Sequence, residues 1–216
     1  MVSPIRKILA SKIVWYLTGI TYPTAIITTH GKYLPKDKYV IAGQEEMSTL
    51  FSYIGLGKTI LEFGCGPGKN LFGIADRIKS GYGIDINPLY IRLAKTLSKR
   101  YRLKNLHFLK YDGYTFPDIP TVDMIFEKGV FERLEKPLVH IYVEKLSKYL
   151  NKGGLIILYF LMAKARGTEF TRKLGDSAYF YWNHDEVVYL LEMKNLAIRE
   201  VICGMYADFY VCELRR

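Results

Sequence analysis

The sequence is poor in the residues that would tie a fold together covalently or through a metal. Its three cysteines, Cys65, Cys203 and Cys212, form no CxxC pair and no Cys/His cluster, which excludes a zinc module and a disulfide-built scaffold. No metal site is expected. Cys203 and Cys212 could face one another across a C-terminal hairpin turning near Ala207 and Asp208, although a disulfide is uncommon in a reducing compartment. Long apolar runs are missing as well. Ile13 to Thr29 comes nearest and is interrupted by Gly19, Pro23 and five threonines, short of the roughly 18 residues that indicate a membrane span. The first residues, Met1 to Lys12, are basic but lead into no compact apolar core with a small-residue cleavage site, so a cytoplasmic protein is expected. Glutamine occurs once, at Gln44, among many Lys, Glu, Ile and Tyr, a bias that fits a thermophilic source.

What is present fits one α/β domain. The 216 residues are half hydrophobic, enough to bury a continuous sheet without covalent staples. The net charge of +10 favours solubility and attraction to polyanions but says nothing about fold. Its distribution is more informative. Between Ile86 and Tyr111 stand Arg92, Lys95, Lys99, Arg100, Arg102, Lys104 and Lys110, with no acidic residue among them. Arg92, Lys95, Lys99 and Arg102 recur at helical spacing, with Leu89, Leu93, Leu97 and Tyr101 as the apolar stripe. A solvated face is the first expectation for this basic helix, with nucleic acid or a membrane surface as the alternative contacts.

The pattern along the chain alternates between the two periods. A helix is expected from about Gly43 to Ile54, closed by Gly55 and Gly57. Residues 1–42 then form an N-terminal arm or lid ahead of a domain spanning 43–216. Within the arm Ile5, Ile8, Leu9, Ile13, Tyr16 and Leu17 follow helical spacing, as a packed lid or an interfacial helix would. Strands are read at Thr59 to Phe63, Tyr82 to Ile86, Leu106 to Leu109, Val122 to Phe126 and Leu155 to Phe160. Helices are read at Asn70 to Ile78, Pro88 to Arg102, Lys136 to Leu150 and Asp185 to Met193. Asn151, Gly153 and Gly154 read as the stop between the long helix and its strand. Ala197 to Cys203 and Tyr206 to Leu214 are close enough in sequence to pair as an antiparallel hairpin. The fold expected is a Rossmann-like three-layer α/β sandwich with a mostly parallel seven-stranded sheet ending in that hairpin.

The chemistry is concentrated after the first strand, in Glu62-Phe63-Gly64-Cys65-Gly66-Pro67-Gly68. Glycines at alternate positions let the main chain turn sharply and approach a ligand, and the helix that follows offers free N–H groups. Asp85 ends the next strand, where a carboxylate can accept both hydroxyls of an adenosine ribose. The internal spacing is GxGxG rather than the GxGxxG that cradles a pyrophosphate, which argues against a dinucleotide.

The run Leu61-Glu62-Phe63-Gly64-Cys65-Gly66-Pro67-Gly68-Lys69-Asn70 resembles motif I of the class I S-adenosylmethionine-dependent methyltransferases. The similarity continues through Gly83-Ile84-Asp85-Ile86-Asn87-Pro88, Tyr111-Asp112-Gly113 and the residues around Val122 to Leu134. The resemblance implies S-adenosylmethionine as cofactor. It implies that Glu62, Gly64, Gly66 and Gly68 hold the methionine end, that Asp85 binds the ribose, and that Ile86 packs on the adenine. Asp112, with Gly113 beside it, would bond the adenine amino group, and Phe126 and Glu127 would border the methyl-transfer site. The resemblance has limits: Arg133 stands where relatives with small-molecule acceptors often carry histidine, and Glu127-Lys128-Gly129 replaces the signature of adenine N6 methylation.

Methyl transfer from a sulfonium needs alignment and a desolvated pocket more than a base, so no residue is assigned as catalytic. If the acceptor must lose a proton, Glu127, Glu132, His140 and His184 are the candidates. Tyr179, Phe180, Tyr181 and Trp182 follow the fifth strand; they could enclose a planar or cationic acceptor or fill the core. A small-molecule acceptor is the expectation, because no added recognition domain is visible. RNA or protein methylation through the basic surface is the alternative within enzymes, and a non-catalytic partner subunit of the same fold is the alternative outside them.

Overall fold

The computed structural model describes residue 35 and residues 38–168 and 179–215. The expected lid helix of Ile5 to Leu17 lies outside them. The described chain divides into two compact units, one to Ile119 and one from Pro120.

In the first unit α1 (Tyr39–Met47) starts four residues before Gly43 and passes into a 3-10 segment, Ser48–Tyr53. Gly43 therefore lies inside the helix and does not begin it. The reason is packing: Tyr39 and Met47 are fully buried, and a Cβ on Gly43 would lie 2.1 Å from the carbonyl oxygen of Lys69. β1 (Thr59–Phe63), β2 (Ser80–Asp85) and β3 (Leu106–Lys110) run parallel, with Leu61 opposite Tyr82 and Tyr82 opposite His107. Their crossovers are α2 (Lys69–Ile74), prolonged by the 3-10 turn Ala75–Arg77, and α3 (Pro88–Arg100).

α3 begins as its sequence dictates. Pro88 presets the first turn, and the Asn87 side chain accepts the N–H groups of Leu89 and Tyr90. Its buried side is Tyr90, Ile91, Ala94, Leu97 and Ser98. The expected stripe of Leu89, Leu93 and Tyr101 is only half-buried, so the helix is rotated toward Tyr90 and Ile91, which are buried. The basic side chains do lie on the outside.

In the second unit β4 (Val122–Glu127) and β5 (Leu150–Leu161) are parallel, joined by α4 (Lys136–Ser147). β5 starts earlier than expected. Val122 stands opposite Leu150 but Met124 opposite Leu155, so Asn151 to Gly154 bulge within the strand and do not precede it. Gly153 takes φ 75° there, and the Asn151 amide donates to Asp123 at 2.8 Å. α5 (His184–Met193) opens with a capping box between Asn183 and Glu186.

The chain ends in β6 (Leu196–Cys203) and β7 (Ala207–Leu214), which pair antiparallel, and β7 pairs antiparallel with β5. Cys203 stands opposite Asp208 and Cys212 opposite Ile198. The two thiols are therefore far apart along the hairpin and both are free. The strand order is β3-β2-β1-β4-β5-β7-β6, the mostly parallel seven-stranded α/β arrangement with a terminal antiparallel hairpin. No described helix is long and apolar enough to cross a membrane.

Candidate functional site

The glycine loop joins β1 to α2, and its geometry explains its composition. Gly64, Gly66 and Gly68 have φ of 73°, 52° and 90°, a conformation that side chains resist. A Cβ on Gly68 would also stand 2.8 Å from the Phe108 ring. The loop is held from below, where the Ile84 carbonyl accepts N–H groups from Gly64 at 2.8 Å and Cys65 at 3.1 Å. Cys65 is buried, and a Cβ on Gly83 would meet its sulfur at 2.8 Å, so the thiol is a packing group. Burial pushes its pKa up, away from reactivity.

Asp85 closes the loop from the next strand. Its Oδ2 accepts the Gly66 N–H at 2.8 Å and its Oδ1 accepts the Asn87 N–H at 2.8 Å. Burial raises its pKa to about 6, against the pull of the N–H groups of Asn87, Gly66 and Ile86. A carboxylate offers about four acceptor positions, and the N–H groups of Asn87, Gly66 and Ile86 take three of them, which leaves one for a further donor. Ile86 follows it, half-buried.

Behind the glycines lies a polar cluster that the motif alone only half reveals. Glu62 is buried, and its Oε1 accepts the amide of Asn70 at 2.8 Å. Lys69, the first residue of α2, is buried and ion-paired with Glu46 of α1. Glu62 Oε2 and Asn70 Oδ1 have no hydrogen-bond partner among the described residues. Two adjacent buried acceptors without a donor are unusual in a native structure, and they suit a ligand that brings N–H donors, an ammonium group above all. Burial drives the Glu62 pKa well up, and the Asn70 amide opposes it. Asn70, Lys69 and Glu46 were not singled out from the sequence. The signal was a lysine and an asparagine directly after the last glycine, where a helix start is usually solvated.

Asp112 and Gly113 lie in the turn after β3. The Asp112 side chain is exposed and its Oδ1 accepts N–H groups from Tyr114 and Thr115, both at 2.7 Å. Gly113 is buried at φ 96°. The turn is shaped from behind by Tyr111, Phe63 and Phe116, whose rings pack at 4.9 to 6.0 Å.

In the second unit Phe126 is a fully buried core side chain. Glu127, also fully buried, accepts N–H groups from Val130 at 2.5 Å and Phe131 at 3.1 Å on one oxygen, and from Tyr159 at 3.4 Å on the other. It holds the turn that follows β4, where Gly129 takes φ 86°. Burial pushes its pKa to about 8 despite the N–H groups of Val130 and Phe131. Glu132 is buried beside Arg133, 3.5 Å away, and burial raises its pKa too.

The two histidines are engaged elsewhere in this unit. His140 stacks near Trp182, with centroids 6.5 Å apart, and His184 Nδ1 is hydrogen-bonded with the Tyr210 hydroxyl at 2.9 Å. The aromatic run is largely core: Tyr179 and Tyr181 pack with Leu161, Ala165 and Ala207, and Trp182 is buried. Arg133 lies 4.2 Å from the Tyr179 ring centroid and Arg166 4.9 Å from that of Tyr181.

A family model described as a methyltransferase domain matches residues 54–196. The tRNA U34 carboxymethyltransferase of Shewanella pealeana is 28% identical over 107 residues, which is 49% of this chain and 32% of that protein. A probable thiol methyltransferase of Arabidopsis thaliana is 28% identical over 106 residues, 48% of this chain and 47% of that one. The matched stretches thus cover less than half the length of either relative. Among solved structures, magnesium protoporphyrin IX methyltransferase from Synechocystis PCC 6803 with bound SAH superposes with a TM-score of 0.72. It is 15% identical, over 96% of this chain and 99% of that one, a likeness of fold.

Proposed function

The chain belongs to the methyltransferase-domain family, and on that premise we propose that it binds S-adenosylmethionine on the glycine loop of its first unit and transfers the methyl group to an acceptor. The observation that carries this reading is the pair of buried acceptors without donors, Glu62 Oε2 and Asn70 Oδ1, behind a loop with three glycines at positive φ. The methionine ammonium of the cofactor supplies the missing donors. Gly64, Gly66 and Gly68 let the main chain approach without Cβ atoms; Asp85 would accept from the ribose, Ile86 would pack on the adenine, and Asp112 with Gly113 would hold its amino group.

When bound, the cofactor would supply a methyl group activated on a sulfonium, with the thioether as leaving group. The protein's part is to bind and orient. Glu62 and Asn70 would fix one end through the ammonium; Asp85 would fix the other. Phe126 and Glu127 have a supporting role in this reading, since Phe126 is core and Glu127 spends one oxygen on the turn after β4 and the other on Tyr159 of β5.

Calorimetry with S-adenosylmethionine, its demethylated product and NAD tests the assignment. Both sulfur compounds are expected to bind and NAD is not. Tighter binding of NAD than of either would overturn it.

Two acceptor readings have support. In favour of a small molecule, one named relative is a probable thiol methyltransferase. A nucleic acid is favoured by the exposed basic side of α3, and one named relative acts on tRNA. A labelled methyl donor offered to small-molecule, RNA, protein and lipid fractions separates the two by where the label goes.

A further inference from the structure

The cofactor reading uses Glu62 and Asn70 and gives no task to the lysine that precedes Asn70. Lys69 is the first residue of α2 and is buried, and a buried ammonium needs a counter-charge. It donates to Oε2 of Glu46 on α1. Glu46 stands three residues after Gly43, whose missing Cβ lets α1 lie against the Lys69 carbonyl. The close approach of the two helices therefore brings this half-buried carboxylate to the start of α2.

Both charges act on Glu62. Besides burial and the Asn70 amide, Glu46 raises the Glu62 pKa and Lys69 lowers it. Glu62 Oε2 nevertheless accepts no hydrogen bond. A buried ammonium thus stands near a buried acceptor that lacks a donor, and it is engaged by a different carboxylate. Glu46, Glu62 and Lys69 together hold two carboxylates and one ammonium. One further cation balances them, which is what the ammonium of the proposed ligand would bring. Without Glu46, Lys69 would keep a buried charge with Glu62 as a remaining carboxylate on which that charge acts, and a tethered group competes at high effective concentration.

We propose that Glu46 is a positioning residue for the cofactor: by holding the Lys69 ammonium against α1 it keeps Glu62 Oε2 open to the ammonium of the ligand, a place that Lys69 would otherwise take. The inference rests on the S-adenosylmethionine reading of the glycine loop. It makes Lys69 a built-in competitor and α1, which carries no part of the glycine motif, a component of the site.

Calorimetry with two ligands tests it. S-adenosylhomocysteine carries the ammonium, whereas 5′-methylthioadenosine keeps the adenosine and the thioether and lacks the amino acid. Glu46→Gln removes the charge that holds Lys69 and preserves the size of the side chain. Its affinity for S-adenosylhomocysteine should fall about tenfold or more, as for loss of a hydrogen bond to a charged group, while its affinity for 5′-methylthioadenosine stays parental. Adding Lys69→Met removes the competitor, and the double variant should recover most of the lost affinity. Lys69→Met alone provides a second route that leaves Glu46 in place; it should bind S-adenosylhomocysteine no more weakly than the parent. A parent that binds neither ligand would overturn the cofactor reading and the inference with it. If the parent binds S-adenosylhomocysteine, the cofactor reading stands and three results overturn the inference alone: equal binding by Glu46→Gln, a parallel loss of both ligands, or a double variant no better than Glu46→Gln. Weakened binding by Lys69→Met alone would also overturn it, since Lys69 would then hold the ligand itself.

Discussion

A Cβ added to Gly73 would stand 2.2 Å from the carbonyl carbon of Gly43, so α1 and α2 meet backbone against backbone. The contact sets the position of α2, whose first residues Lys69 and Asn70 carry the polar cluster behind the glycine loop. Gly73→Ala should therefore destabilise the chain by about 3 kcal/mol, the upper part of the range for overpacking a core. It should also weaken S-adenosylmethionine binding. Urea unfolding and calorimetry read the two effects; a variant with parental stability would show that the helices can part without cost.

Asp85→Ala removes the acceptor proposed for the ribose and the partner of the Gly66 N–H. Cofactor affinity should fall by about 1.5 to 3 kcal/mol, as for hydrogen bonds to a charged acceptor. Because burial holds the Asp85 pKa at about 6, the carboxyl takes up a proton as pH falls through that value and accepts hydroxyls less well. Calorimetry of the parent should show affinity flat above pH 6 and declining below it. Full affinity in the variant would mean that Asp85 does not hold the ribose.

Glu127 has an ordinary pKa of 4.5 when unfolded and about 8 in the fold. Between these values the folded chain holds the extra proton, so stability falls as pH rises across that window and is unaffected by this group below it. Glu127→Gln keeps an acceptor for Val130 and Phe131 and cannot ionise. It should melt higher than the parent at pH 8 and lose part of the parent's decline between pH 5 and pH 8. Parallel melting curves over that range for the two proteins would contradict the assignment.

Thiol counting tests the end of the sheet. Cys203 is exposed while Cys65 and Cys212 are buried, and burial pushes the Cys212 pKa to about 12. An aromatic disulfide reagent should titrate one thiol in the folded protein and all three after denaturation. A count of one after denaturation without reductant would mean that Cys203 and Cys212 are bonded after all.

The sequence by itself determined the alternation of elements, because burial on both faces of a parallel sheet demands short apolar runs such as Thr59 to Phe63 and Leu155 to Phe160. It also determined the glycine loop, since alternate positive φ angles leave few residue choices, and it placed Asp85 at the end of the next strand. Contacts distant in sequence were decided only by the tertiary structure. α1 begins at Tyr39 because Gly43 must meet α2, a constraint with no local signature. α3 turns toward Tyr90 and Ile91 because the sheet, not the helix period, selects which apolar side chains are covered. Glu62 and Asn70 become a pair of unsatisfied acceptors only when the strand and the helix bring them within 2.8 Å. Cys203 and Cys212 are separated by strand register, which depends on where the hairpin turns and on its pairing with β5, because each residue's partner in a sheet is set by the whole ladder rather than by its neighbours in the chain.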